Sequence, residues 1–216
     1  MFPYPIAKSQ NCDIQIFYGS DTASGSRNAR AWNKPIGVSH VYMMLIGSGG
    51  AGGTTQGGGC GAVTVWYGAA QHVPDNLLIN PAATNEAGDT TISYRGTSLV
   101  VLLSAGSALT TSAGAAIAAG PFAASGFYKS TSGQAGSTSS VTPSSITFLS
   151  AGSDSTSETV TANYGYFVSG NGNGFFQMQP IIVGAGGSAS GRGGIGCGAG
   201  ADSQLGGAGM VLIASW

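Results

Sequence analysis

The apolar residues come in short runs, and each run empties into glycine, alanine or serine. Residues 38–53 read VSHVYMMLIGSGGAGG, an apolar strand followed by a glycine hinge. Residues 98–107 (SLVVLLSAGS), 145–153 (SITFLSAGS) and 181–191 (IIVGAGGSASG) repeat the grammar. Short apolar or alternating runs between glycine-rich breaks predict strands, not helices. Residues 12–18 (CDIQIFY) alternate, which places Ile14 and Ile16 on one face. Further strands are predicted at 63–67 (VTVWY), 77–80, 90–94, 99–103, 146–149, 159–168, 175–183 and 210–216, with 90–94 and 99–103 joined as a hairpin across Arg95 and Gly96. A helical turn at 113–119 (AGAAIAA) is the one helix candidate. The pattern as a whole predicts an all-β fold, a sandwich or jelly-roll-like, with ordered glycine-rich loops and very little helix. The runs VYMMLI and LVVLL are apolar on both faces, so each needs cover on two sides, from a second sheet or a neighbouring subunit.

The organisation follows the same signals. Residues 1–31 read as an N-terminal arm, with Pro3 and Pro5, and a first strand; residues 32–216 read as one glycine-rich β domain. Within it, residues 105–145 form a Ser/Thr/Ala-rich insertion. The chain has 38 glycines, concentrated at 47–61 and 184–209 without the strict three-residue period of collagen. Such concentration, with Cys60 and Ile195 interrupting the glycines, predicts defined backbone packing in place of a flexible linker. Gly50, Gly58, Gly187 and Gly194 are expected to be structural, at places where backbones touch and a Cβ would clash.

Charge narrows the partners. Only 7% of the residues are Asp, Glu, Lys or Arg, against about 25% in an ordinary soluble domain. The formal net charge is -1, which gives no attraction to nucleic acid or to an anionic membrane. No run reaches the roughly 18 apolar residues of a membrane helix, so no membrane insertion is expected. The polar surface must come from Ser, Thr, Asn, Gln and exposed backbone, which suits packing against copies of the same chain. A homo-oligomer is expected, with a trimer favoured, in contact with other proteins of an assembly. The opening MFPYPIAKSQ lacks the basic-then-apolar pattern of a secretory signal. The expectation is synthesis in the cytoplasm without a signal peptide and, if the protein works outside a cell, arrival there by assembly and lysis and not by signal-driven export.

Candidate chemistry is sparse. Residues 47–52 spell GSGGAG, a GxGxxG match after a strand. A dinucleotide site needs a helix to open there and a carboxylate about twenty residues on; TTQGGGCGAVTVWY follows and supplies neither. His40 lies in an alternating strand and His72 in a turn before Pro74 and Asp75. A triad with Asp75 or Asp89 can be drawn, but no GxSxG elbow exists, and no spacing suits zinc or calcium. No catalytic residue, cofactor or metal is expected, and the protein is read as not an enzyme. Two carboxylates brought together by the fold would suffice for a glycosidase, so a glycan-acting hydrolase on a β scaffold stands as an alternative. Cys12, Cys60 and Cys197 are odd in number and contain no CxxC. Buried thiols are the favoured reading over a disulfide; Cys60 (GGGCGA) and Cys197 (GIGCGAG) sit one in each glycine patch, which leaves their pairing open. Trp32, Trp66 and Trp216 border strands and are expected to anchor the core. Phe127, Tyr128, Tyr164, Tyr166, Phe175 and Phe176 lie in or beside polar loops. They form the candidate binding surface, for a glycan or a protein, or else contacts between subunits.

Residues 32–38 (WNKPIGV) followed by VYMMLIGSGGAGG resemble the opening of the glycine-rich domain of bacteriophage tail-fibre and virion surface proteins: a Trp, a Pro-Gly-Val turn, an apolar strand and a run of glycines. GGGCGAVTVWY, IIVGAGG and the ending GGAGMVLIASW are similar to later parts of the same family, and GSASGRGGIGCGAG resembles the polyglycine-helix tips of long-tail-fibre adhesins. The resemblance covers residues 32–216, and residues 105–173 depart from it in being Ser/Thr/Ala-rich. It implies a place in the virion: a fibre, spike or adhesin on the particle exterior that contacts the host surface. The alternative it leaves is a capsid or capsid-decoration protein with a purely assembly role.

Overall fold

A computed structural model describes residues 13–21, 29–84, 88–138, 166–167, 181–182, 187, 191–201 and 204–216. The strands are β1 (Asp13–Tyr18), β2 (Arg30–Asn33), β3 (His40–Ile46), β4 (Val63–Ala69), β5 (Asn76–Asn80), β6 (Thr90–Arg95), β7 (Leu99–Ala105), β8 (Phe127–Thr131), β9 (Tyr166–Phe167), β10 (Ile181–Ile182) and β11 (Met210–Ser215). Among the described residues helix is limited to 3₁₀ turns at Ala70–His72 and Ala123–Ser125. The fold is all-β, as the pattern predicts.

Two antiparallel sheets carry it. The larger has the order β1-β11-β3-β4-β8 and the smaller β2-β5-β6-β7, while β9 and β10 pair with each other. In the larger sheet the register sets Phe17, Val211, Leu45 and Thr64 in one row, and Ile213, Met43, Trp66 and Tyr128 in the next. These side chains face the smaller sheet, where Trp32, Leu77, Ile79, Ile92 and Leu103 complete one apolar cluster. Two buried threonines stitch the sheets together. Thr64 donates to the Ser104 carbonyl at 2.7 Å, and Thr90 donates to the Ile46 carbonyl at 2.8 Å while accepting the Ala82 N–H at 3.0 Å.

Three departures from the predicted elements have physical reasons. The helical turn expected at 113–119 is absent, because Gly114 donates to the Cys60 carbonyl and accepts from the Gly133 N–H, both at 2.9 Å. Backbone groups that a helix would pair internally are used on neighbouring segments. β2, inside what reads as a polar loop, forms because Trp32 drops into the core opposite Leu77 of β5. β8 forms because its backbone completes the edge of the larger sheet on β4. The strand expected at 146–149, and most of those at 159–168 and 175–183, lie outside the described residues.

The strands β3, β7 and β8 run out of the sandwich at one end, and β4 and β11 run in there. The chain between them is the glycine-rich part. Residues 47–52 distribute their N–H groups in a three-residue cycle. Gly47 and Gly50 donate to Ala62 and Gly59, Ala51 to Leu109, and Gly49 and Gly52 to Gly207 and Gln204; the Ser48 N–H takes Ser107 Oγ at 3.0 Å. Residues 57–62 do the same: Gly57 and Cys60 donate to Ser137 and Gln134, Gly58 and Gly61 to Ala199 and Gly196, Gly59 and Ala62 to Thr110 and Gly106. A period of three, with each third of the backbone serving a different neighbour, belongs to extended left-handed helices of the polyproline type and not to a sheet, whose period is two. The described residues of the two glycine patches are thus the centre of a bundle, and the Ser/Thr/Ala-rich stretch supplies segments 106–114 and 132–137 to it.

Candidate functional site

The bundle is nearly free of side chains because its geometry leaves no room for them. A Cβ on Gly50 would overlap the Thr110 carbonyl, one on Gly58 the Gly50 carbonyl, and one on Gly187 the Gly191 carbonyl. The Gly194 carbonyl accepts the Cys197 N–H at 2.8 Å and lies where a Cβ on Gly207 would fall. Backbone hydrogen bonds at this separation require hydrogen at Cα. Gly196, at φ 67°, makes the turn that brings the later segment back onto Gly61. The result is a compact head at one end of the sandwich whose polar groups are mostly engaged in main-chain bonds.

The second feature is the outer face of the larger sheet, turned away from the smaller one. Near the head, Met44, Ile46, Met210 and Leu212 are fully buried, and Cys60, Cys197 and Ile195 from the glycine segments pack on them. At the opposite end the face becomes aromatic. The register puts Phe127, Tyr67 and Tyr42 in one row across β8, β4 and β3. His40 and Trp216 exchange backbone hydrogen bonds beside them, at 3.0 and 3.1 Å. The rings of His40, Tyr67 and Trp216 lie with centroids 5.7, 6.0 and 5.9 Å apart and within 19° of parallel. Ser39 Oγ sits 3.0 Å from His40 Nδ1 and donates to the Trp216 carbonyl at 3.2 Å, fixing the cluster from one side. All three rings are half-buried. Burial pushes the Tyr42 hydroxyl well above the usual tyrosine range, so it stays protonated and able to donate.

Of the aromatics singled out in the sequence, Phe127 is 63% exposed on this outer face. Its neighbour Tyr128 points the other way, packs on the sandwich core and donates its hydroxyl to the Ile117 carbonyl at 2.7 Å. Tyr166 lies in β9, its backbone paired with Ile182; Tyr164, Phe175 and Phe176 lie outside the described residues. Trp32 and Trp66 are core residues, Trp66 stacked on Phe122 with centroids 4.8 Å apart. The cluster of His40, Tyr67 and Trp216 was not legible in advance: its members are remote in sequence, and only the antiparallel order β11-β3-β4 joins them. The alternating pattern HVYMM around His40 is the one available signal.

An ion pair lies beside β2 and β5. Lys34 pairs with Asp75 at 2.8 Å and donates to the Val73 and Ala70 carbonyls at 2.7 and 3.2 Å, which pins the 3₁₀ turn under Trp32. Among the described residues no group of three His, Cys, Asp or Glu side chains is placed to hold a metal ion, and no helix is long and apolar enough to cross a membrane. No family model, curated protein or solved structure matches the chain.

Proposed function

We propose that the protein is a structural component of a virus particle exterior, of a phage, serving in a fibre, spike or adhesin that contacts the host surface, and that it is not an enzyme. The observation that carries this reading is the glycine head. A tip made of interlocked main chain has little side-chain entropy to lose on contact, and a chain with 7% charged residues suits self-assembly. The resemblance of residues 32–216 to glycine-rich tail-fibre domains supports the same reading. The direct test is labelling of particles from the source culture with antibodies to the purified chain. Label at fibre tips or spikes is expected. Label spread over the shell would transfer the protein to the capsid-decoration reading, and particles without label would end both.

The partner chain in this reading is a second copy, in a trimer. The β6–β7 hairpin supplies the sticky element: Tyr94, Leu99, Val100 and Val101 are 40%, 57%, 49% and 54% exposed, although consecutive residues point to opposite sides. Sedimentation of the wild type should give a trimer, and Leu99→Asp with Val101→Asp a monomer. A wild type that sediments as a monomer at micromolar concentration removes the oligomer from the proposal. The aromatic end of the sheet is the proposed contact for a saccharide, whose apolar ring face fits near-parallel aromatics. Trp32 and Trp66 are 1% and 0% exposed, so any change of tryptophan emission on adding host polysaccharide reports Trp216, and Trp216→Phe should abolish it.

A further inference from the structure

We infer that Cys60 and Cys197 form a covalent cross-link site, closing in an oxidising environment into a disulfide that ties the first glycine segment to the last. The backbone register carries the inference and does not depend on the proposed function. Gly58 donates to the Ala199 carbonyl at 2.8 Å and Gly61 to the Gly196 carbonyl at 2.9 Å. These bonds step forward by three along one segment and backward by three along the other, so the pair is antiparallel, and residues 60 and 197 lie at the same level between the two bonds. Main chains joined by direct hydrogen bonds run about 5 Å apart, a separation of the same size as the roughly 4.4–6.8 Å between Cα atoms that a disulfide spans. Both side chains are fully buried and enter the same apolar cluster, against Met44, Ile46, Met210 and Leu212. Both side chains thus belong to one buried apolar cluster on the outer face of the larger sheet. Both are reduced thiols in the structure.

The chemistry balances with a low-molecular-weight disulfide, RSSR, as oxidant: Cys60–SH + Cys197–SH + RSSR gives Cys60–S–S–Cys197 + 2 RSH. The two cysteine sulfurs are oxidised, the reagent is reduced, and both protons leave on its thiols. Burial also holds the Cys60 thiol up at about 11, despite the Gln134 N–H that its sulfur accepts at 2.9 Å. The thiolate needed for exchange is therefore scarce in the folded head. Closure belongs to folding or to transient opening of the head, and the closed bond is shielded from reductant afterwards.

The experiment uses the full chain with Cys12→Ser, so that only the two head cysteines remain. The protein is unfolded, refolded in a mixture of oxidised and reduced glutathione, quenched with acid and weighed intact. A loss of two hydrogens is expected, together with a proteolytic fragment joining the peptides of Cys60 and Cys197. Because the cross-link restricts the unfolded chain across a long loop, the oxidised form should melt about 5–15 °C above the reduced form. Cys60→Ala and Cys197→Ala should each abolish the mass change, a readout taken on quenched protein that needs no folded variant. An unchanged mass after oxidative refolding, glutathione adducts in place of the internal bond, or a cross-linked form that melts below the reduced one would each overturn the inference.

Discussion

The molecule has two interiors built on opposite principles. Between the sheets, Trp66, Met43, Ile79 and Ile92 fill space with side chains, and the strands only hold them in place. In the glycine head the main chains themselves touch, and side chains are excluded. The first interior gains most from apolar area removed from water, roughly 1.5–3 kcal/mol for each large side chain fully buried. The second gains from satisfied backbone groups, each worth about 1 kcal/mol net, and it must order glycine, which loses more conformational freedom than any other residue. The difference is one of tolerance. A side-chain core can relax around a missing methylene, whereas a main-chain core has no soft atoms to move.

That contrast can be broken or sharpened by substitution. The largest effect is expected from Gly58→Val and Gly49→Val, where the new Cβ would fall on the Gly50 and Cys197 carbonyls. Both should lose more than about 4 kcal/mol or fail to fold, read as the shift of a denaturant midpoint. If both melt with wild type, the head is not close-packed and the comparison fails. Trp66→Ala removes one of the two tryptophans of the other interior and should cost about 3–5 kcal/mol, by the same measurement. Next comes a pH effect from Cys60 in the head, to which the raised Tyr42 hydroxyl adds from the outer face of the larger sheet. Cys60 keeps its proton when folded up to about pH 11, against an ordinary 9. Between these values the unfolded chain has released a proton that the folded chain retains, so stability falls as pH rises. The Cys60 part of the fall should approach roughly 2–3 kcal/mol by pH 11, and chemical denaturation of reduced Cys60→Ala against wild type across that range should show a shallower slope in the variant. Thr90→Val removes the tie between β6 and the end of β3 and should cost about 1–3 kcal/mol, because it orphans the Ile46 carbonyl and the Ala82 N–H. The smallest effects mark the limits of each principle. Ile79→Val should cost about 0.5–1.5 kcal/mol, and Gly120→Ala, with open space around it, should stay within about 0.5 kcal/mol of wild type.

Much of the architecture was legible because strands announce themselves locally. The alternation in CDIQIFY, the continuous run VYMMLI and the β-branched VTVWY each state a strand and a face. β2 and β8 were not legible: RAWN offers one buried side chain in four residues, and FYKST alternates too weakly to outweigh its polar surroundings. Their existence depends on partners, β5 and β4, supplied from elsewhere in the chain. The same holds for AGAAIAA, whose composition favours a helix until a neighbouring segment claims its backbone. Of the named aromatics, Phe127 and Tyr128 are adjacent in sequence yet lie on opposite faces, because a strand alternates; exposure could not be read for either until the larger sheet's orientation was known.

The sequence by itself determined the class of fold, the absence of a local catalytic signature, and the two places where glycine is dense enough to demand backbone contact. These follow from properties of single residues and short windows: apolar periodicity, charge content and the lack of a Cβ. Only the tertiary structure decided which backbones meet in the head, that the segment of Cys60 runs antiparallel beside that of Cys197, and that His40, Tyr67 and Trp216 share one end of a sheet. Those are matters of register and strand order. Register is set by pairing energies summed over whole strands, and no short window of the chain contains both partners of a pair.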